Sequence, residues 1–151
     1  MPYRARPVRI EHQDPVYVLE EQIGHLLRRA HQRATAVFQS TIGEDNLTPT
    51  QYAVLSKLYA HGELSQNHLG RLTAMDPATT MNLIRRLRAR DLVATRRDPD
   101  DGRRVLLQLT DSGEDLFLRH YGNGFVVSER ILEPLDAAEQ ATLLALLKKL
   151  I

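Results

Sequence analysis

Residues 76–110 run DPATTMNLIRRLRARDLVATRRDPDDGRRVLLQLT. The stretch opens as a helix. Asp76 is a good N-cap, Pro77 suits the first helical position because no partner is needed there for an N–H, and Leu83, Ile84 and Leu87 recur at helical spacing. That spacing leaves Thr79, Thr80, Asn82, Arg85 and Arg86 partly or wholly off the apolar stripe, so one polar side is available to a partner. Beyond the helix, DLVATRR and RRVLLQLT are short runs rich in Val, Leu and Thr on either side of the turn signal DPDDG. They predict a β-hairpin with an arginine pair on each leg.

Charge singles out the same region. From Arg71 to Arg104 there are nine arginines against five aspartates, a local +4 in a chain of 151 residues whose net charge is +1. The island holds no lysine, and arginine is the side chain whose planar fork matches phosphates and guanine edges.

Upstream, Ser65 caps a short helix, SQNHLGRLT. Before it, LTPTQYAVLSKLYAHG carries Thr48 as N-cap, Pro49 next, Gln51 completing a capping box, and Gly62 as the stop. Leu19, Ile23, Leu26, Leu27, Ala30, Ala34 and Phe38 predict one long first helix over roughly 15–42. Downstream, Asp111 with Glu114 and Asp136 with Glu139 form D-x-x-E capping boxes for a fifth helix near 111–132 and a sixth, DAAEQATLLALLKKLI. Leu143, Leu144, Leu146, Leu147, Leu150 and Ile151 crowd that last helix, which needs a large apolar cover; the first helix suits it, packed across a dimer.

Helix, short helix, polar-faced helix and hairpin make the winged helix-turn-helix order, in which the polar-faced helix enters the DNA major groove and the hairpin is the wing. The wing can place one arginine at the minor groove and others, Arg97 and Arg104 among them, on flanking phosphates, while Asp98, Asp100 and Asp101 cap the turn and orient the guanidinium groups. The expected fold class is mostly α with a small β-hairpin wing. Residues 46–110 form a winged helix-turn-helix DNA-binding domain, and residues 1–45 and 111–151 a helical dimerisation domain built from the N- and C-terminal helices.

LTPTQYAVLSKL, LSQNHLGRLTAMDPATTMNLIRRLRARDLV and RRDPDDGRRVLLQLTDSGEDL together resemble the MarR family of bacterial transcriptional regulators, with the wing signature in Asp101-Gly102-Arg103 and the closing Leu109-Thr110. The resemblance implies a dimer with interleaved terminal helices that binds a pseudo-palindromic operator and represses until a small ligand, often an aromatic acid, binds between the domains. It makes Arg103 the wing arginine of the minor groove and Asp101 its partner, and the helix from Ala78 to Arg86 the recognition helix. By the same resemblance Ser65, Gln66 and Asn67 meet the DNA backbone. Gly102 departs from the family's pattern, standing where many members carry a further arginine.

The composition also limits the other possibilities. With no cysteine there is no disulfide, thiolate metal site or thiol-based oxidation switch. No apolar run is long enough for a membrane span and the N-terminus lacks a signal-peptide core, so a cytoplasmic, membrane-free protein is expected. There is no phosphate-cradling glycine loop, G-x-S-x-G or H-E-x-x-H, so neither an enzyme nor a cofactor is expected. No metal site is assigned among the scattered histidines; His61, beside Gly62, reads as a cation at a helix C-terminus. Two other readings stand beside the DNA reading: a basic module for an acidic protein partner, and a metal-responsive regulator. For the effector, His25, Arg28, Arg29 and Gln32 share a face of the first helix and, with Phe38, Tyr52 and Tyr59 as walls, suit an aromatic anion such as an aromatic acid or an aryl-coenzyme A thioester. The phosphates of such a thioester could also use Arg4, Arg6 or Arg9.

Overall fold

The computed structural model describes residues 16–151, so Arg4, Arg6 and Arg9 lie outside the described residues. The described residues fall into two units, 16–32 and 33–151, and helix α1 (Ile23–Ile42) has residues in both.

In the first unit the helix begins later than the periodicity predicts. Leu19–Glu21 form a 3-10 turn and Gln22 is extended, with its side-chain amide donating to the Val18 carbonyl at 2.8 Å. Val18 offers no capping side chain, so Leu19 keeps the apolar period without joining the α-helix. Ile23, Leu26 and Leu27 are exposed.

The second unit holds the core. After α1, a 3-10 turn at Gly43–Asp45 and a left-handed Asn46 lead into α2 (Pro49–His61). Thr48 and Gln51 close the expected capping box at 3.2 and 3.0 Å, and Gly62 stops the helix at φ 74, which a side chain would strain. β1 (Glu63–Ser65), α3 (Gln66–Leu72), α4 (Pro77–Ala89), β2 (Val93–Arg97) and β3 (Val105–Leu109) follow. The sheet has three antiparallel strands in the order β1-β3-β2, not the two expected. Three residues that follow a helix-stopping glycine and end on a capping serine give no strand period, and only the ladder with β3 makes them one. Helices α5 (Asp111–Leu132) and α6 (Ala137–Lys148) complete the chain.

The N-cap of α5 is Thr110, not Asp111: its hydroxyl oxygen accepts from the Gly113 N–H at 3.0 Å and its hydrogen goes to the Asp91 carbonyl. A Cβ on Gly113 would run into the Leu92 carbonyl, so glycine lets the first turn of α5 press on the chain entering β2. Asp136 and Glu139 close the expected box of α6 at 2.9 Å. Ile42, Leu47, Leu55, Leu58, Leu69, Leu87 and Leu107 are fully buried, so α1, α2, α3, α4 and β3 share one interior, joined by Phe117 of α5. Helix α6 buries nothing, and Leu144, Leu146, Leu150 and Ile151 all stand exposed.

Candidate nucleic-acid interface

Helix α4 is held at its start by Asp76, whose carboxylate accepts the Thr79 N–H at 2.9 Å and the Thr79 hydroxyl at 2.5 Å. The Thr79 hydroxyl, and then its N–H, keep the Asp76 carboxyl below the usual carboxylate range. From this start, Ala78, Thr79, Asn82, Arg85 and Arg86 are exposed on α4. Arg85 donates to the Asn82 side-chain oxygen at 2.9 Å, which pre-orients both. Thr80 corrects the sequence reading: it is 1% exposed, donates its hydroxyl to the Asp76 carbonyl at 2.8 Å and packs towards Gly70 of α3. A threonine looks polar in a periodicity count, but a hydroxyl satisfied by its own helix buries readily.

Met81, which the sequence reading passed over, is 55% exposed on α4, where a thioether can meet a thymine methyl. The signal was its absence from the Leu83, Ile84, Leu87 stripe.

The wing divides its four arginines. Asp98 and Asp101 cap the turn as expected, Asp98 accepting from the Asp100 N–H at 2.9 Å and Asp101 from the Arg103 N–H at 3.0 Å, while of the expected contacts to guanidinium groups the wing holds Asp98 with Arg104 at 3.8 Å. Arg103's partnership with Asp101 therefore runs through the main chain. Arg96 is engaged elsewhere, its fork closing on both Glu63 oxygens at 2.7 Å across β3, and those bonds raise the Arg96 pKa above its ordinary value. Arg97 reaches the Gly102 carbonyl at 3.5 Å, and Arg104 approaches Asp98 at 3.8 Å. Among the described residues, the Arg103 guanidinium has no hydrogen bond or ion pair and is exposed.

The fold joins what the sequence separates. Ser65, Gln66 and Asn67 of the α3 start line a cleft of about 250 Å³ with Arg103, Arg104 and Val105 of the wing. A neighbouring groove of about 280 Å³ carries Gln66 and Asn67 on to Arg71, Pro77 and the head of α4. Amide and hydroxyl donors flanked by guanidinium groups form a surface that can take successive phosphates while α4 presents its polar side.

The expected effector residues fall in both units. In the first, Arg28 donates to His25 Nδ1 at 3.3 Å, while Arg29 and Gln32 are exposed. In the second, Phe38 meets Tyr52 edge-on at 5.8 Å, and both Tyr52 and Tyr59 lie against Phe117 at 5.5 and 5.0 Å. Phe38 is almost wholly buried and Tyr59 is exposed. Burial raises the Tyr52 pKa. His61 closes α2, its ring 6.3 Å from that of His68. Among the described residues no helix is long and apolar enough to cross a membrane.

A family model described as MarR family matches residues 45–104. The chain is 42% identical to the HTH-type transcriptional repressor NicR of Pseudomonas putida, over 89% of this chain and 85% of that protein. A solved structure concerned with regulation of DNA binding of Bordetella bronchiseptica BpsR by 6-hydroxynicotinic acid superposes with a TM-score of 0.85 at 39% identity, covering 90% of this chain and 97% of that one. The Streptomyces coelicolor transcriptional regulator PcaV, in complex with its natural ligand, superposes with a TM-score of 0.84 at 34% identity, covering 91% and 96%.

Proposed function

The chain belongs to the MarR family, and on that premise we propose that it is a homodimeric repressor that leaves a pseudo-palindromic operator when an aromatic carboxylate binds. The observation that carries the reading is the continuous donor surface from Ser65, Gln66 and Asn67 to Arg103 and Arg104, set beside the exposed Ala78, Thr79, Asn82, Arg85 and Arg86 of α4. In this reading Arg103 enters the minor groove, Arg97 and Arg104 meet flanking phosphates, and α4 reads base edges. Residues 1–45 and 111–151 form the dimerisation region, and the exposed leucines of α6 are covered by the second copy.

For the effector, His25, Arg28, Arg29 and Gln32 supply charge and hydrogen bonds for a carboxylate, and Phe38, Tyr52 and Tyr59 supply aromatic surface. NicR and the 6-hydroxynicotinic acid of BpsR point the choice of acid towards the pyridine carboxylates. The ligand acts through its differential affinity for the DNA-binding and released geometries.

The test is to select duplexes from a random pool with the purified protein and then titrate the bound complex with benzoate, hydroxycinnamate, nicotinate and 6-hydroxynicotinate and with aryl thioesters, following release by anisotropy. Release by at least one aromatic anion, weakened in Arg28→Ala or Arg29→Ala, is expected. Failure of every anion where an uncharged lipophile releases the DNA refutes the anionic effector.

A further inference from the structure

Asp45 lies in the turn between α1 and α2 and is gripped from two sides. Its main chain faces α4: the Arg90 fork, at the C-cap of α4, donates to the Asp45 carbonyl at 2.7 Å and to the Asn46 carbonyl at 3.2 Å. The left-handed Asn46 turns the chain at this point. The Asp45 carboxylate faces α5, 2.6 Å from His120 Nε2 and 3.3 Å from Arg119. His120 is 8% exposed, and its other nitrogen accepts from the Asn123 amide at 3.1 Å, so its Nε2–H is the donor to Asp45. Tyr52 of α2 donates to the His120 carbonyl at 3.3 Å. The bond from His120, more than the charges of Arg119 and Arg90, lowers the Asp45 pKa.

A second tie connects the same two helices, where the Thr110 hydroxyl at the head of α5 takes the Asp91 carbonyl just beyond α4. Thr110 and His120 are ten residues apart, about 15 Å along a helix. On α4 the two ties meet at adjacent residues, Arg90 and Asp91, while on α5 they are spread over that distance, so together they fix where the C-terminal end of α4 stands along α5, its core face being held by the buried Ile84 and Leu87.

Resting on the DNA-binding dimer proposed above, we infer that Arg90, Asp45 and His120 are positioning residues that set where the C-terminal end of the recognition helix stands relative to α5, and so the half-site spacing the dimer accepts. They touch no base. The cluster acts on geometry between half-sites and leaves base choice within a half-site to α4.

The experiment measures two ratios on the duplex selected by the parent protein. One is the affinity lost when a base pair is inserted between the half-sites; the other is the affinity lost on a base substitution within a half-site. Arg90 is exposed, so Arg90→Ala keeps the fold, and any phosphate contact it loses cancels in both ratios. Arg90→Ala is expected to reduce the spacing ratio about three- to tenfold, in the range of couplings between neighbouring elements, and to leave the base ratio within about twofold. His120→Leu, which removes the grip from the α5 side, is expected to do the same, with thermal melting confirming that it folds. A folded Arg90→Ala protein with the parent's spacing ratio, or one in which both ratios fall together, overturns the assignment. A parent that selects no duplex refutes the DNA reading itself, a distinguishable outcome.

Discussion

The four wing arginines are alike in sequence and differ in structure, and that difference is measurable. Arg96 spends its fork on Glu63 at 2.7 Å, whereas the Arg103 guanidinium stands exposed without a partner among the described residues. In the proposed dimer, replacing Arg103 with alanine removes one DNA-facing charge from each wing. Each neutralised phosphate contributes about 0.9 to the slope of log affinity against log salt, so two lost contacts flatten the slope by about 1.8. Between roughly 50 and 200 mM salt, a fourfold change, the variant should lose about twelvefold less affinity than the parent does. Its affinity at low salt should already be lower, with preference disturbed mainly at A·T-rich flanks, because a minor-groove arginine reads groove width more than base identity. Arg96→Ala leaves the wing's DNA-facing charge in place and should keep the parent slope, while freeing Glu63 and loosening β2 against β1. The assay is fluorescence anisotropy on one labelled duplex at five salt concentrations for the three proteins. Equal slopes for Arg103→Ala and the parent, or equal flattening by both variants, would refute the division of labour read from the wing.

Gly113→Ala should lower the unfolding midpoint in urea by an amount worth about 1–3 kcal/mol at unchanged m, since the new methyl meets the rigid Leu92 carbonyl; an unchanged midpoint would mean that α5 is not pressed against that strand. Asp76 has a folded-state pKa below its ordinary value, so its stabilisation is present above the ordinary carboxylate pKa and is lost as pH falls through the lowered one. Asp76→Asn, which keeps one capping oxygen but neither the charge nor the second acceptor, should therefore lower stability at neutral pH and flatten its decline in acid; an acid profile identical to the parent's removes Asp76 from that titration. Leu144→Glu together with Leu147→Glu should give monomers by sedimentation at micromolar protein if α6 is covered by a second copy, whereas an intact dimer would place the interface elsewhere.

What could be read without a structure lies within a few residues along the chain. The boxes at Thr48–Gln51 and Asp136–Glu139, the cap at Asp76 and the DPDDG turn depend on side chains bonding backbone no more than four positions away, and the stop at Gly62 on a positive φ that glycine adopts without strain; local identity determines both. The order of those elements was enough to indicate a winged helix. Tertiary structure decided what depends on contact between distant residues. Glu63 and Arg96 are 33 residues apart and Asp45 and His120 are 75, so no period or motif reports that Arg96 is clamped by a distant carboxylate or that a turn aspartate clasps α5. Thr80 and Thr110 were misplaced for the same reason: a hydroxyl counts as polar in a sequence, but whether it faces solvent, its own helix or the Asp91 carbonyl depends on which backbone the fold brings beside it. Burial and partner choice belong to the packed chain, because only packing removes water from some polar groups and leaves others, the Arg103 guanidinium among them, in contact with it.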